Sequence, residues 1–190
     1  MKNIFLIALL VLAGWLQSSA QLENRFSIGP RIGANISNVT VSGTETLTGL
    51  AAGLTSTYSI NETSGITLDA LYSAEGYKSG NNEVHLNYLR IPILYNSFFG
   101  KLGEPFRPKI YAGFSPGFLI SAENNNSDIK SQYKSAVLDL VGGIGFNYRL
   151  ANRVWLNIDV RAFLGLNNLA ERGDEKNRTI QPSLGIAYGI

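Results

Sequence analysis

The sequence predicts an all-β protein, an eight-stranded antiparallel up-and-down transmembrane β-barrel. Three observations carry this. Stretches of about 12 or 13 residues alternate between large apolar side chains and small or polar ones, the period-two pattern of a strand. Charges within those stretches lie on the side opposite the apolar stripe. The connections alternate, with about 7 to 13 residues after the odd strands and about 4 to 6 after the even ones. Short periplasmic turns and longer outer loops are the pattern of an outer-membrane barrel.

The first strand is expected from Phe26 to Ser37, where Ile28, Ile32 and Ile36 alternate with Gly29, Arg31, Gly33 and Asn35. Asn38 to Thr48 is rich in Thr, Ser and Gly and reads as a loop. The second strand, Gly49 to Ile60, puts Leu50, Leu54, Tyr58 and Ile60 on one side. A turn at Asn61–Ser64 leads to the third, Gly65 to Tyr77, with Ile66, Leu68 and Tyr72 opposite Asp69, Ser73 and Glu75. Lys78 to Val84 reads as a loop. His85 to Gly117 then forms a long hairpin around the turn KLGEP. On its first arm Leu89, Ile91, Ile93, Tyr95 and Phe99 oppose Tyr88, Arg90, Leu94, Asn96 and Phe98. On its second, Ile110, Phe114 and Phe118 oppose Lys109, Tyr111 and Ser115.

Ala122 to Lys134 is the longest polar loop. The sixth strand, Ala136 to Tyr148, carries Asp139 opposite Leu138 and Leu140. The seventh, Val154 to Leu166, carries Asp159 and Arg161 opposite Ile158, Val160 and Leu164. After the charged loop Asn167 to Asn177, the eighth runs from Arg178 to Ile190. An even count places both termini at the short-turn end.

Lipid offers no hydrogen-bond partners, so a spanning β-structure must close on itself. Its outer face must also exclude charge, because Arg or Lys at mid-membrane costs roughly 2 to 4 kcal/mol. Arg31, Asp69, Glu75, Arg90, Lys109, Asp139, Asp159 and Arg161 obey that rule. They form a balanced set of four basic and four acidic groups on the inner face. An eight-stranded lumen is narrow enough for side chains to fill. These eight are therefore expected to form an interior salt-bridge network centred on Asp159 and Arg161, with Arg90, Lys109 and Asp139 as partners. Arg107 shares their parity near the rim. Inward Gly29, Gly33, Gly53, Gly113, Gly117, Gly143 and Gly145 are expected to make room for Arg and Tyr side chains. A lipocalin-like soluble barrel or a two-sheet sandwich would instead bury the apolar face and show the charges to water.

Residues 1 to 20 read as a secretory signal peptide. A short positive start precedes the apolar run Ile4–Leu16, and Ser18-Ser19-Ala20 offers a cleavage site before Gln21. The remainder, residues 21 to 190, is expected to be one outer-membrane barrel domain. With no Cys and one His, thiolate metal sites and disulfides are excluded. A formal net charge of +2 without a basic cluster gives no support for nucleic-acid binding.

The run YLRIPILY (Tyr88–Tyr95) resembles the porin-family outer-membrane β-barrel domain of Bacteroidota, the PorT-like group. So do PKIYAGFSPGFL (Pro108–Leu119), IDVRAFLGLNNL (Ile158–Leu169) and the closing PSLGIAYGI (Pro182–Ile190). The resemblance implies a small barrel of the Gram-negative outer membrane, of a group mostly without assigned activity and with a few members linked to protein secretion and gliding. It implies the barrel-assembly machinery as a partner; the apolar outer face makes outer-membrane lipid another, and the outer loops are the expected surface for envelope proteins. Such chains usually end in Phe; this one ends in Ile190, with Tyr188 two before it.

Catalysis is not expected. His85 faces outward by parity, whereas Ser73 and Glu75 face inward, so no nucleophile–base pair assembles. No cofactor or metal is expected, since Glu171 to Glu175 lacks the spaced ligands of a Ca²⁺ loop. The function expected is that of a structural or interaction module with a filled lumen. A narrow solute channel, or a part of a secretion or gliding assembly, is the alternative.

Overall fold

The structure is a computed structural model describing residues 25–125 and 127–190. The expected signal peptide lies outside the described residues. Ten strands form: β1 (Phe26–Val39), β2 (Glu45–Ser59), β3 (Ser64–Ser79), β4 (Asn82–Arg90), β5 (Ile93–Phe98), β6 (Phe106–Asn124), β7 (Ser127–Asp128), β8 (Ala136–Ala151), β9 (Val154–Gly165) and β10 (Asn177–Gly189). Each pairs antiparallel with its neighbours, and β10 returns to β1, so the sheet closes into a ring.

The ring has eight staves, as the sequence predicts. β4 and β5 are two halves of one stave, both pairing with β3 and β6. The interruption falls at Ile91–Pro92, because Pro92 has no N–H to give the ladder. Pairing bridges the gap: Asp69 N–H donates to the Pro92 carbonyl at 3.0 Å, and Ile91 N–H to that of Pro116 at 2.9 Å. β7 is a two-residue flap on the end of β6.

The connections depart from the expected alternation. Lys78–Val84 is not a loop. β3 and β4 continue through it to a tight turn at Gly80-Asn81, with Ser79 paired to Asn82. Lys78 and Glu83 face each other across this hairpin. Their hydrogen bond and mutual attraction hold the carboxyl below its usual range and the amine above. These strands outrun the membrane, so their outward residues turn polar while the backbone stays paired. Ala122–Lys134 is likewise partly ordered, holding the end of β6, β7 and a 3₁₀ turn at Lys130–Gln132. At the opposite end β2–β3 and β8–β9 join through short turns.

The outward face is a continuous apolar belt. Ile32, Leu54, Leu68, Ile93, Ile110, Ile144, Val160 and Leu184 are all exposed on it. A water-soluble monomer rarely shows an apolar patch beyond a few hundred Å²; in lipid such a surface lies in its proper solvent. Tyr58, Tyr95, Phe99, Phe106, Tyr148 and Tyr188 stand exposed toward the short-turn end, where amphipathic rings meet headgroups. Arg178 is a correction to the expectation that no strand charge shares the outward parity. It is exposed at the loop end of β10, beyond Ile180.

Candidate functional site in the barrel lumen

The alternation that turns leucines outward turns charges inward. Arg31, Asp69, Glu75, Arg90, Lys109, Asp139, Asp159 and Arg161 are all buried, between 0% and 6% exposed. They divide into two groups. Toward the long loops, Arg90 of β4 holds Glu75 of β3 in a fork: Nε donates to Oε1 at 2.9 Å and Nη2 to Oε2 at 2.7 Å. Its Nη1 reaches Asp139 of β8. Ser73 Oγ donates to Glu75 at 2.8 Å, Asn35 Nδ2 to Ser73 at 2.9 Å, and Gln181 Nε2 to Asn35 at 2.7 Å.

The second group lies deeper. Arg31 Nη1 donates to Asp159 at 2.7 Å and to Ser183 Oγ at 2.9 Å. Lys109 Nζ is 3.0 Å from the other Asp159 oxygen. Arg161 pairs with Asp69. That pair links β9 to β3, which stand four staves apart in a ring of eight, so it crosses the full lumen. The expected partnership of Asp159 and Arg161 with Arg90 and Asp139 is therefore corrected. Among the described residues no ion pair joins the two groups; Asp159 has the expected Lys109, and Arg31 takes the place of Arg90. The physical reason is the stagger of a closed barrel, which sets which inward residues share a level.

Between the groups lies apolar packing that the charge pattern does not reveal: Leu94, Tyr111, Val141 and Phe163. Val141 is two residues from Asp139, and Phe163 two from Arg161. Two inward glycines act as expected. A Cβ on Gly143 would lie 2.5 Å from the Tyr111 ring, and one on Gly117 would lie 2.9 Å from Arg90 Nη1. Gly29, Gly53 and Gly113 instead face a neighbouring strand's carbonyl, where a Cβ would approach within 2.0 Å, so the correction is from side-chain room to backbone approach. Gly143→Ala should cost about 1–3 kcal/mol, because the stiff Tyr111 ring must move. Unfolding of the single and double variants with Tyr111→Leu should show the two changes to be less than additive.

The outer mouth is covered. Leu169 and Ala170 pack with Tyr88, Val137, Leu119 and Tyr133 beneath the loops. Lys134 N–H donates to the Leu169 carbonyl at 2.8 Å, and Glu171 N–H to that of Gln132 at 2.9 Å, stitching the two longest loops together. The Tyr77 and Tyr133 hydroxyls meet at 2.9 Å, above the apolar belt. Burial pushes both phenols up, and the Glu175 carboxylate adds to this. A cavity of about 670 Å³ remains among these loops, lined by Tyr77, Gln132, Tyr133, Glu171 and Arg172.

His85 is exposed on β4, 3.7 Å from Glu83. Among the described residues no group of three or more His, Cys, Asp or Glu could hold a metal ion. Arginines 25, 149 and 153, which the sequence reading passed over, gather with Arg107 at the short-turn mouth. Arg149 carried a signal as inward parity at the end of β8, whereas Arg25 lies just before β1 and Arg153 in the β8–β9 turn.

The fold is that of known outer-membrane proteins. Neisserial surface protein A aligns with a TM-score of 0.65 at 16% identity, over 87% of this chain and 97% of that one. OprG of Pseudomonas aeruginosa aligns with a TM-score of 0.58 at 18% identity, over 87% and 95%. Ail, the attachment invasion locus protein of Yersinia pestis, gives 0.51 at 15%, over 88% and 100%. At these identities the likeness is one of fold. No curated protein matches the sequence. Residues 16–171 match the family described as outer membrane protein beta-barrel domain, and the chain belongs to that family.

Proposed function

We propose that this protein is a closed, non-conducting barrel serving as a structural or interaction module of the cell envelope. The observation that carries the reading is the Arg161–Asp69 pair, which spans the lumen between opposite staves, both partners buried. A hydrated ion would have to separate charges already removed from water, and the Arg90 group would meet it next. The stitched outer loops support the same reading and offer the surface for envelope partners. His85 lies outside and Ser73 is committed to Glu75 in the lumen, which supports a non-enzymatic role. The strand motifs that resemble the PorT-like group support a place in the outer membrane of a Bacteroidota. They also support a part in a secretion or gliding assembly. The surrounding lipid, and the barrel-assembly machinery during insertion, complete the partners of this reading.

Single-channel recording in a planar bilayer tests it, after a heat-modifiable gel shift has shown that the barrel is closed. The expected trace is silent. Steady discrete conductance would overturn the proposal and make the lumen charges selectivity groups.

A further inference from the structure

We propose that the short-turn mouth of the barrel binds a phosphate-bearing anion. A cavity of about 170 Å³ opens there, lined by Arg25, Arg107, Arg149, Arg153, Asn147 and Trp155 among others, and no Asp or Glu lines it. The strand register builds this cluster. Arg107 pairs with Asn147 across β6 and β8, and Arg149 with Trp155 across β8 and β9.

Arg107 sets the site apart from the rest of the lumen. Arg31, Arg90, Lys109 and Arg161 each have a carboxylate within 4.0 Å. Arg107 is equally buried, at 3% exposed, yet has only carbonyl partners: Nη2 donates to Glu62 O at 2.8 Å and Nε to Gly100 O at 3.4 Å. Its guanidinium stacks 4.1 Å from the Phe98 ring centroid, which fixes its plane. A buried cation with no carboxylate within ion-pair distance is costly, and an anion in the cavity would supply a direct counter-charge. The nearby carboxylates lie on the turns: Glu104, exposed beside Gly100, attracts Arg107 without forming an ion pair with it, and Glu62 is exposed and 3.8 Å from Lys101.

Two further details point the same way. Asn147 Oδ1 is buried with no donor, and turning that amide would present its NH₂ to an anion. Arg153 occupies the two-residue β8–β9 turn at φ +65, a conformation that Gly or Asn would adopt at less cost. Guanidinium forks match phosphate oxygens in pairs. The cavity suits a phosphate group and is too small for a folded partner. The short-turn end faces the periplasm, where such a group is carried by soluble phosphate esters and by lipid headgroups. The site is separate from the buried ion pairs, so its failure would leave the non-conducting reading untouched.

Trp155 reports on the cavity directly, since it is the single tryptophan once residues 1–20 are removed. The processed chain, purified from outer membranes into maltoside micelles, is titrated with inorganic phosphate and with glycerol 3-phosphate. Ionic strength is held constant with chloride. A saturable change in emission is expected. Arg149→Gln and Arg153→Asn should each weaken apparent affinity about tenfold, the loss of one charge-assisted hydrogen bond. The pair together should abolish saturation, with heat-modifiable migration showing that the variants still close. Saturation by the free ions identifies a soluble ligand. A response confined to nanodiscs containing phosphatidylglycerol identifies a lipid headgroup. A change that chloride reproduces, one that survives in the double variant, or no response to either source overturns the proposal.

Discussion

An Arg90→Ala barrel should lose about 3–5 kcal/mol of stability, the cost of leaving a buried ion pair half made. The substitution strands two carboxylates, since Glu75 and Asp139 are both held by this one guanidinium. Glu75 would keep Ser73, and Asp139 only the 3.4 Å contact from Asn177. Urea midpoints in detergent, followed by the heat-modifiable band, would read the loss. Removing the charges together should restore most of it. In Arg90→Met with Glu75→Gln and Asp139→Asn no uncompensated charge remains, and neutral replacements of buried ion pairs are often tolerated. Lys78→Ala, which breaks the exposed pair with Glu83, should leave the midpoint where it was, because water screens that contact. A small loss for Arg90→Ala would mean that water reaches Glu75 and Asp139, and the filled-lumen reading would fail with it.

What the sequence reveals is the face of each residue; what it hides is the level. Period two separates Leu138 and Leu140 from Asp139 without any knowledge of neighbours, because successive strand side chains must point opposite ways. Which carboxylate meets Arg161 depends on the stagger accumulated around eight staves, and no local pattern encodes that. Asp139 and Arg161 lie on adjacent strands and share the inward face, yet they join different groups. The same limit explains the loops. Lys78, Glu83 and His85 are polar because they stand above the lipid, and polarity alone cannot distinguish a paired strand in water from a loop. Pro92 announces its effect in the sequence, and the compensation by Asp69 N–H appears only when β3 is laid beside it. The apolar filling by Leu94, Val141 and Phe163 was hidden for a different reason. Inward apolar residues break the simple rule of polar inside, and their role follows from closure and packing.

Ile144→Arg should destabilise the barrel in phospholipid vesicles by about 2–4 kcal/mol, the cost of a guanidinium at mid-membrane on the lipid face. Ile144 is 63% exposed and central in the outward row from Leu138 to Tyr148, flanked on adjoining strands by Ile110 and Val160. Thr48→Arg, at the loop end of β2, should cost far less, since the penalty falls toward the interface. The contrast between the two sites isolates depth from the general effect of adding a charge. It also separates a membrane barrel from a soluble one by energy rather than by resemblance. On a water-facing surface, replacing an exposed isoleucine by arginine would change stability little at either site. Equal, small effects at Ile144 and Thr48 would therefore remove the belt from the bilayer. A large effect at Ile144 alone would mean that the alternation first seen in the sequence is an adaptation to two solvents, lipid outside and a dry network of charges within.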